Sequence, residues 1–428
     1  MEHIGKNIKR IRQEKNMTIA DLANEHISAG MISLIENNKT KPSIDRLQHI
    51  ATNLNVPLSD ILGKYSRKEL RKIIQTFKEK AKLNDPEMTI EQLEKLQNLL
   101  PHLGEMYETA IIHELIARHT YFLFALHPEP FKELSNQDWK YHAEKAISLF
   151  NQLQMEWRAL SIKVLLANAS ALEANYEEAI EIVDKALKED IFEDNKDAQA
   201  TYIDLLYIKA MSLESLGKRE EAYAIAQKAI DYMKKHFIMN RFFEINNMVA
   251  LLLYDNFRFS EARKVAEQVE QFVTLTENDE LWLDMLFNQI HYNEFYEENF
   301  KRAYELIDQT KEALETERYA HLADYQIKDV HTFLKDAKAR CLTREGKYEQ
   351  AIPIFENNEH FIPEHITMNP VDTSLRIISK SYLARCYYRV GKRKEARKLA
   401  YDTFNILSDY PHTSYYFFAR EVLREVTR

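Results

Sequence analysis

Glycine is what this chain most conspicuously lacks. It has seven in 428 residues, where usual usage of about 7% would give roughly 30. Prolines number 10. So little punctuation excludes a sheet with many tight turns, and helix-favouring residues fill the gaps, so the fold class reads as all-α. There are only two cysteines, Cys341 and Cys386. They cannot build a disulfide framework or, alone, a zinc site, and they fit a reducing cytoplasm. The most apolar short run, residues 121–126, falls far below the ~20 residues that span a bilayer. The N-terminus has no apolar segment behind a basic start, as a signal peptide would. A cytoplasmic protein with no membrane partner is expected.

Catalytic signatures are missing too. There is no phosphate-binding glycine loop, no GxGxxG, no HExxH and no paired CxxC, and His113-Glu114 with His119 has the wrong spacing for a helical zinc pair. The expectation is a protein that is not an enzyme and carries neither a cofactor nor a metal.

What is present is an uneven charge. The net charge is −9. Residues 1–82 hold 16 Lys/Arg against 9 Asp/Glu, a balance of +7, and the remainder carries −16. An acidic body repels a polyanion, so the basic front is where one would dock.

The first 63 residues read as five short helices. Ile4, Ile8 and Ile11 recur at helical spacing. Thr18 caps a second helix, with Asp21 completing a capping box and Leu22 and Ala23 facing inward. After a break at His26-Ile27, Ser28 caps a third helix that runs to Asn37, with Ile32 and Ile35 as its apolar stripe. Lys39-Thr40-Lys41-Pro42 is a polar loop. Ser43 starts a fourth helix, and Pro57 opens a fifth that ends near Leu62-Gly63. This pattern resembles the Cro/CI-like helix-turn-helix family almost without gaps. The strongest matches are Leu22-Ala23, Ile32-Ser33, Glu36, Pro42-Ser43, Leu47, Ala51 and Leu54.

The resemblance implies that Ser28, Ala29, Gly30, Met31 and Ser33 face base edges of double-stranded DNA. It puts Asn37, Asn38, Lys39 and Lys41 on phosphates, which fix position without reading sequence. Two departures weaken direct readout. Ile19 follows Thr18 where the family usually has Gln, and Ala29 and Leu34 stand where it often has Arg or Lys, so the bidentate Arg–guanine contact is missing. DNA shape and dimerisation would then matter more. Leu34 is expected to pack in the core, while Ala29 or Met31 would offer methyl contacts to the bases.

Residues 64–127 form a connector. Lys64, Arg67, Lys68, Arg71, Lys72, Lys78, Lys80 and Lys82 accompany an apolar stripe of Leu70, Ile73, Ile74 and Phe77, which gives a basic amphipathic helix. Asn84-Asp85-Pro86 reads as its end.

From 128 to 428 the chain repeats itself. A turn, then an acidic or polar stretch, then alanine recurs at Ala179, Ala222, Ala262, Ala303, Ala351 and Ala396, with a weaker copy at Ala146. Gly217, Gly346 and Gly391 share one turn slot. A helical hairpin needs a residue that tolerates positive φ at its turn, hence Gly or Asn, and a small residue where its helices meet. One hairpin cannot bury its apolar face, so hairpins stack. The pattern resembles the tetratricopeptide repeat, which implies a right-handed superhelix with a concave groove.

Counting back from each alanine selects groove residues. Eleven back gives Asn168, Met211, Leu251, Tyr292, Arg340 and Arg385. Fifteen back gives Val164, Tyr207, Asn247, Asn288, Asp336 and Ser381. Eight back adds Tyr254, Phe295 and Tyr388. An Asn side chain both donates and accepts, so Asn168, Asn247 and Asn288 suit the backbone of an extended peptide. Arg340 and Arg385 suit its carboxylate or an acidic side chain, and the aromatics would form pockets. Cys341 and Cys386, each ten before its alanine, read as small buried hydrophobes.

A Cro/CI-like head followed by such repeats resembles the RRNPP family of quorum-sensing receptors, in length most like its NprR-type members. The resemblance implies a homodimeric or higher-order transcription factor controlled by a short signalling peptide. It equally implies a Rap-like alternative, which binds or dephosphorylates a sporulation-type response regulator through residues 64–127. The sequence does not choose a catalytic Gln among Gln75, Gln92 and Gln97.

Overall fold

A computed structural model describes residues 2–62, 65–82, 85–126, 139–189, 192, 195–320, 322, 324–358 and 369–428. Gly63, Lys64, Asn84 and the domain boundary expected at 127–128 lie outside the described residues. The chain is all-α. Among the described residues the only β-type pairings are isolated bridges, Asn24–Ile27 and Lys82–Asp85, and no helix is long and apolar enough to cross a membrane. The chain divides into two compact units, Met1–Leu166 and Ala167–Arg428.

The first unit opens with α1 (Glu2–Glu14), α2 (Ile19–Leu22), α3 (Ala29–Glu36), α4 (Ile44–Asn53) and α5 (Leu58–Leu62). The caps foreseen from sequence are in place. Thr18 and Asp21 form a capping box, Ser28 Oγ accepts from the Met31 amide, and Ser43 Oγ accepts from the Arg46 amide. Caps of this kind are each worth about 1 kcal/mol. Ile8, Ile11, Leu22, Ile32, Ile35, Leu47, Ile50 and Leu54 form one core. At Gly5 an added Cβ would stand 2.0 Å from the Ile35 carbonyl oxygen, so here α1 packs directly on the backbone of α3.

Helix α6 (Arg67–Lys80) is amphipathic, as expected. It buries Leu70, Ile74 and Phe77 behind a Ser66–Glu69 capping box. Asp85-Pro86 does not stop it: α6 already ends at Lys80. Instead Asp85 caps the Met88 amide and Pro86 begins α7 (Pro86–Leu99), a position where proline's missing N–H is harmless. Then come α8 (Tyr107–Leu126), α9 (Trp139–Gln152) and α10 (Glu156–Leu172).

The second unit continues with α11 (Tyr176–Ala186), α12 (Lys196–Ser215), α13 (Arg219–His236), α14 (Phe242–Asp255), α15 (Phe259–Thr276), α16 (Asp279–His291) and α17 (Phe300–Leu314). It ends with α18 (Asp324–Arg344), α19 (Tyr348–Glu356), α20 (Pro370–Ile377), α21 (Ser379–Arg389), α22 (Arg393–Leu407) and α23 (Ser414–Thr427). Neighbours in sequence pack as hairpins: α12 with α13, α14 with α15, α16 with α17, α18 with α19, and α21 with α22. All six repeat alanines are fully buried, as are Cys341 and Cys386.

The turn slot is sharper than the sequence suggested. In every copy the residue five before the alanine has positive φ: Gly217, Gly346 and Gly391, but also Ala174, Phe257 and Glu298. Asn175 and Asn299, the asparagines that open α11 and α17, have negative φ. The slot is defined by a Schellman closure, in which the next amide bonds five residues back, as Lys218 does to Leu213 at 2.9 Å and Arg258 to Leu253 at 2.9 Å. That bond holds non-glycine residues in the left-handed region. Asn299 reaches six back, to Asn293 at 2.8 Å, because α16 runs into a π-helical turn, Tyr292–Tyr296. The weaker copy is also rephased: its positive-φ residue is Gln154, followed five later by the buried Ala159.

Candidate DNA-binding face and ligand groove

In the head, three contacts fix how α3 is presented. Arg12 on α1 makes a two-pronged ion pair with Glu36 at the end of α3, Nε–Oε1 2.7 Å and Nη2–Oε2 2.8 Å, and its Nη1 donates to the Met17 carbonyl at 2.8 Å. Asn53 donates to the Leu22 carbonyl at 3.0 Å and so ties α4 to α2. Asn24 Oδ1 accepts from the amides of His26 and Ile27, which shapes the turn between α2 and α3. The entry to α3 is then open. Ser28 and Gly30 are exposed, Ala29, Met31 and Ser33 are half-buried, and Asn37, Asn38, Lys39 and Lys41 are exposed. Around Gly30 there is no atom where a Cβ would sit.

Met31, expected at the base edges, is half-buried and packs in part against the head core, and Leu34, expected in the core, is 43% exposed. The apolar stripe of α3 runs through Ile32 and Ile35, and Leu34 falls between them on the outer side. Asn37 caps its own helix, Nδ2 donating to the Ser33 carbonyl at 2.8 Å.

Residues 8–61 match the helix-turn-helix family model. This segment is a helix-turn-helix domain. No curated protein matches the chain in sequence. Solved structures do resemble it in part. PlcR of Bacillus thuringiensis, solved with the peptide PapR7 and DNA, is 21% identical over 65% of this chain and 96% of its own, with a TM-score of 0.36. A Rap protein complexed with competence and sporulation factor is 13% identical over 84% and 98%, TM-score 0.47. The pheromone receptor Rgg2 of Streptococcus dysgalactiae is 14% identical over 68% and 98%, TM-score 0.34. The helix-turn-helix domain thus carries its own identification, independent of the rest of the chain.

In the second unit, α12, α14, α16, α18, α20 and the start of α23 surround a cavity of about 540 Å³. Of the fifteen residues that the count selects for the groove, Tyr207, Asn247, Asn288, Tyr292 and Arg340 line it. Met211, Leu251 and Asp336 from the same two registers do so as well. Asn168, Tyr254, Arg385 and Tyr388 do not. Tyr254 is buried, with its ring 4.7 Å from that of Tyr292 and 5.1 Å from that of Tyr296. Arg385 is bound by Glu421 at 2.6 Å and Glu425 at 2.9 Å. Arg393 lies over the Tyr388 ring. Asn168 is half-buried on α10, away from the cavity. The register eight back from each alanine faces packing rather than the groove, with one exception, Glu214.

Arg340 lines the groove but is no free cation. It is 2% exposed, its Nε donates to Glu294 Oε2 at 3.0 Å and its Nη1 to Ser379 Oγ at 3.1 Å. Tyr382 donates to the other Glu294 oxygen at 3.0 Å. Ser379 donates to Asp336 Oδ2 at 2.8 Å, and Asn358 to Asp336 Oδ1 at 2.6 Å. Arg340 therefore belongs to a buried network, and among the described residues its Nη2 is left without a partner. Asn247 Nδ2 is likewise buried without one.

The C-terminal helix closes the groove's far side. Tyr415 hydrogen-bonds His291 Nε2 at 2.8 Å, and Ser414 donates to Asp255, which also takes Tyr296 OH at 2.7 Å and an ion pair from Arg219 at 2.8 Å. Three lining aromatics, Phe243, Phe287 and Phe333, together with Glu244, Asp284 and Thr332, escaped the register count. Most lie one further helical turn back from the alanines, at eighteen or nineteen residues, so the same periodicity would have found them. Asp372, Arg376 and Tyr415 come from α20 and α23, outside the repeat phrase, and had no such signal.

Proposed function

We propose that this chain is a DNA-binding transcriptional regulator of the RRNPP type, with the helix-turn-helix domain as its DNA reader and the groove of the second unit as the seat of a short extended peptide that controls it. The observation that carries the reading is the groove. It is large enough for a few residues, walled by Phe243, Phe287, Phe333 and Tyr207, and it presents two buried donors, Asn247 Nδ2 and Arg340 Nη2, with no acceptor among the described residues. A buried donor without a partner costs about 1–3 kcal/mol, and peptide carbonyls would relieve that. Asn288 beside them can both donate and accept.

On DNA, the entry to α3 carries no Arg, so base readout rests on Ser28, Ala29, Gly30, Met31 and Ser33, while Asn37, Asn38, Lys39 and Lys41 hold phosphates. One head binds weakly, and specific binding takes at least a dimer. The test is titration of labelled DNA from the chain's own upstream region, with and without synthetic peptides. Absence of DNA binding in both states refutes the reading. Lys39→Ala and Lys41→Ala should each lower the salt slope of binding by about one.

A further inference from the structure

The groove is acidic. Glu214, Glu244, Asp284, Asp329, Asp336 and Asp372 line it, against Arg340 and Arg376. Most of these charges have local partners. Asp336 is held by Ser379 and Asn358, Asp329 by Arg376 at 3.1 Å, Glu244 by Arg241 at 2.8 Å, and Arg340 by Glu294.

Glu214 differs. It is 7% exposed, and its side chain, like that of the exposed Asp284, makes no hydrogen bond or ion pair among the described residues. The charged groups near it are Asp255, Asp372 and Arg219, and Arg219 is already paired with Asp255. Asp372 is exposed; its side chain accepts from the uncharged amide of Asn369 at 2.8 Å, and the cation that acts on it, Arg376, is already paired with Asp329 at 3.1 Å. Burial and the neighbouring carboxylates push the Glu214 carboxyl up to about 8, and a cation beside it would favour the charged form. An independent feature of the same cavity points to a peptide: Arg340, buried, keeps Nη2 unpartnered, a donor suited to a carbonyl.

We infer that Glu214 and Asp372 form a subsite for a cationic group, so that the peptide bound in the groove carries a guanidinium or ammonium, from a basic side chain or from its own N-terminus. This rests on the peptide-groove reading and inverts the ligand polarity that the arginine register suggested. A guanidinium fork matches paired carboxylate oxygens, and charge-assisted bonds of this kind are the strong ones.

The probes are four synthetic C-terminally amidated hexapeptide pools, randomised over uncharged residues except for one fixed internal residue. That residue is Arg or its uncharged isostere citrulline, and each pool is made with a free or an acetylated N-terminus. Retention on the full-length chain is measured by affinity selection and mass spectrometry. The wild type should retain an Arg pool, or a free-amine pool over its acetylated form, about tenfold or more above the fully uncharged pool. The arm that shows this preference identifies the source of the cation. Glu214→Gln should bring the ratio close to one while uncharged peptides are still held, and Asp372→Asn should lower it. Thermal unfolding reports whether each variant is folded, and Asp372→Asn carries the test if Glu214→Gln is not. Equal retention of all four pools by the wild type overturns the subsite and leaves the groove standing. No retention from any pool overturns the groove and the subsite with it.

Discussion

The buried pair between Arg12 and Glu36 sets the stability of the helix-turn-helix domain, and its removal can be worked through. The Arg12 side chain is 10% exposed and that of Glu36 2%, joined by bonds of 2.7 and 2.8 Å, with a third from Arg12 to the Met17 carbonyl. Arg12→Met leaves the Glu36 carboxylate buried and unpaired at a cost of about 3–5 kcal/mol. A domain of this size has roughly 3–9 kcal/mol in all, at ~0.05–0.15 kcal/mol per residue, so the single change removes most of it. The double variant Arg12→Met/Glu36→Leu should recover most of the loss, because two apolar side chains of similar volume need no desolvation of charge. Native-state hydrogen exchange of the α1 and α3 amides in the full-length chain measures this. Arg12→Met should cut protection by about two to four decades, at ~1.4 kcal/mol per decade, and the double variant should restore it. Protection within tenfold of wild type in Arg12→Met would show that Glu36 finds another partner, and the reasoning would fail. A double variant no better than the single would show that the pair supplies geometry as well as charge balance.

Three further outcomes follow from the second unit. Glu214 is protonated more readily in the folded chain than in the unfolded, where its carboxyl sits near 4.5, so its contribution to stability falls as pH rises from about 4.5 through about 8. Thermal melts of wild type and Glu214→Gln should coincide near pH 5, with the variant ahead at pH 8; parallel curves would contradict the shift. Arg385→Ala should leave peptide binding within about twofold, since Glu421 and Glu425 hold it outside the groove. Arg340→Ala should unfold the second unit more easily by about 3–5 kcal/mol by stranding the buried Glu294, and equal melting of the two variants would refute the distinction. Phe257→Gly should raise stability by about 0.5–1 kcal/mol, because Phe257 holds positive φ at 82% exposure where a Cβ is a liability. A fall in the chemical denaturation midpoint would mean that its contact with Phe259 matters more than the strain.

The head was legible because its signals are local. A cap at Thr18, Ser28 or Ser43 acts within three residues, and Ile32 and Ile35 mark the buried stripe of α3 by spacing alone. Leu34 was misread for a related reason: hydrophobicity argued for the core, whereas the period of the helix put it outside. The repeat alanines were legible because close helix approach demands a small residue at a fixed place. The turn residue was not, since a Schellman bond tolerates Ala174 and Phe257, and the wider closure after the π-turn tolerates Glu298, where composition argued for Gly or Asn.

The groove shows where periodicity stops. Counting eleven and fifteen back found its wall in four successive hairpins, because a helix repeats its facing every 3.6 residues whatever side chain it carries. The same count put Arg340 on that wall and suggested an anionic ligand. It could not see Glu294, delivered by the π-turn of the preceding hairpin, or Asp372 and Tyr415, delivered by helices outside the repeat. A register assigns a face, while the sign of the charge a ligand meets depends on which charges neighbours have already neutralised. Here the arginines are matched and a glutamate is not. The proposed subsite therefore asks for a ligand of opposite polarity to the one that the basic residues of the register imply, and Glu214→Gln, which removes the ionisable group while keeping the side chain's size, is the substitution that separates the two.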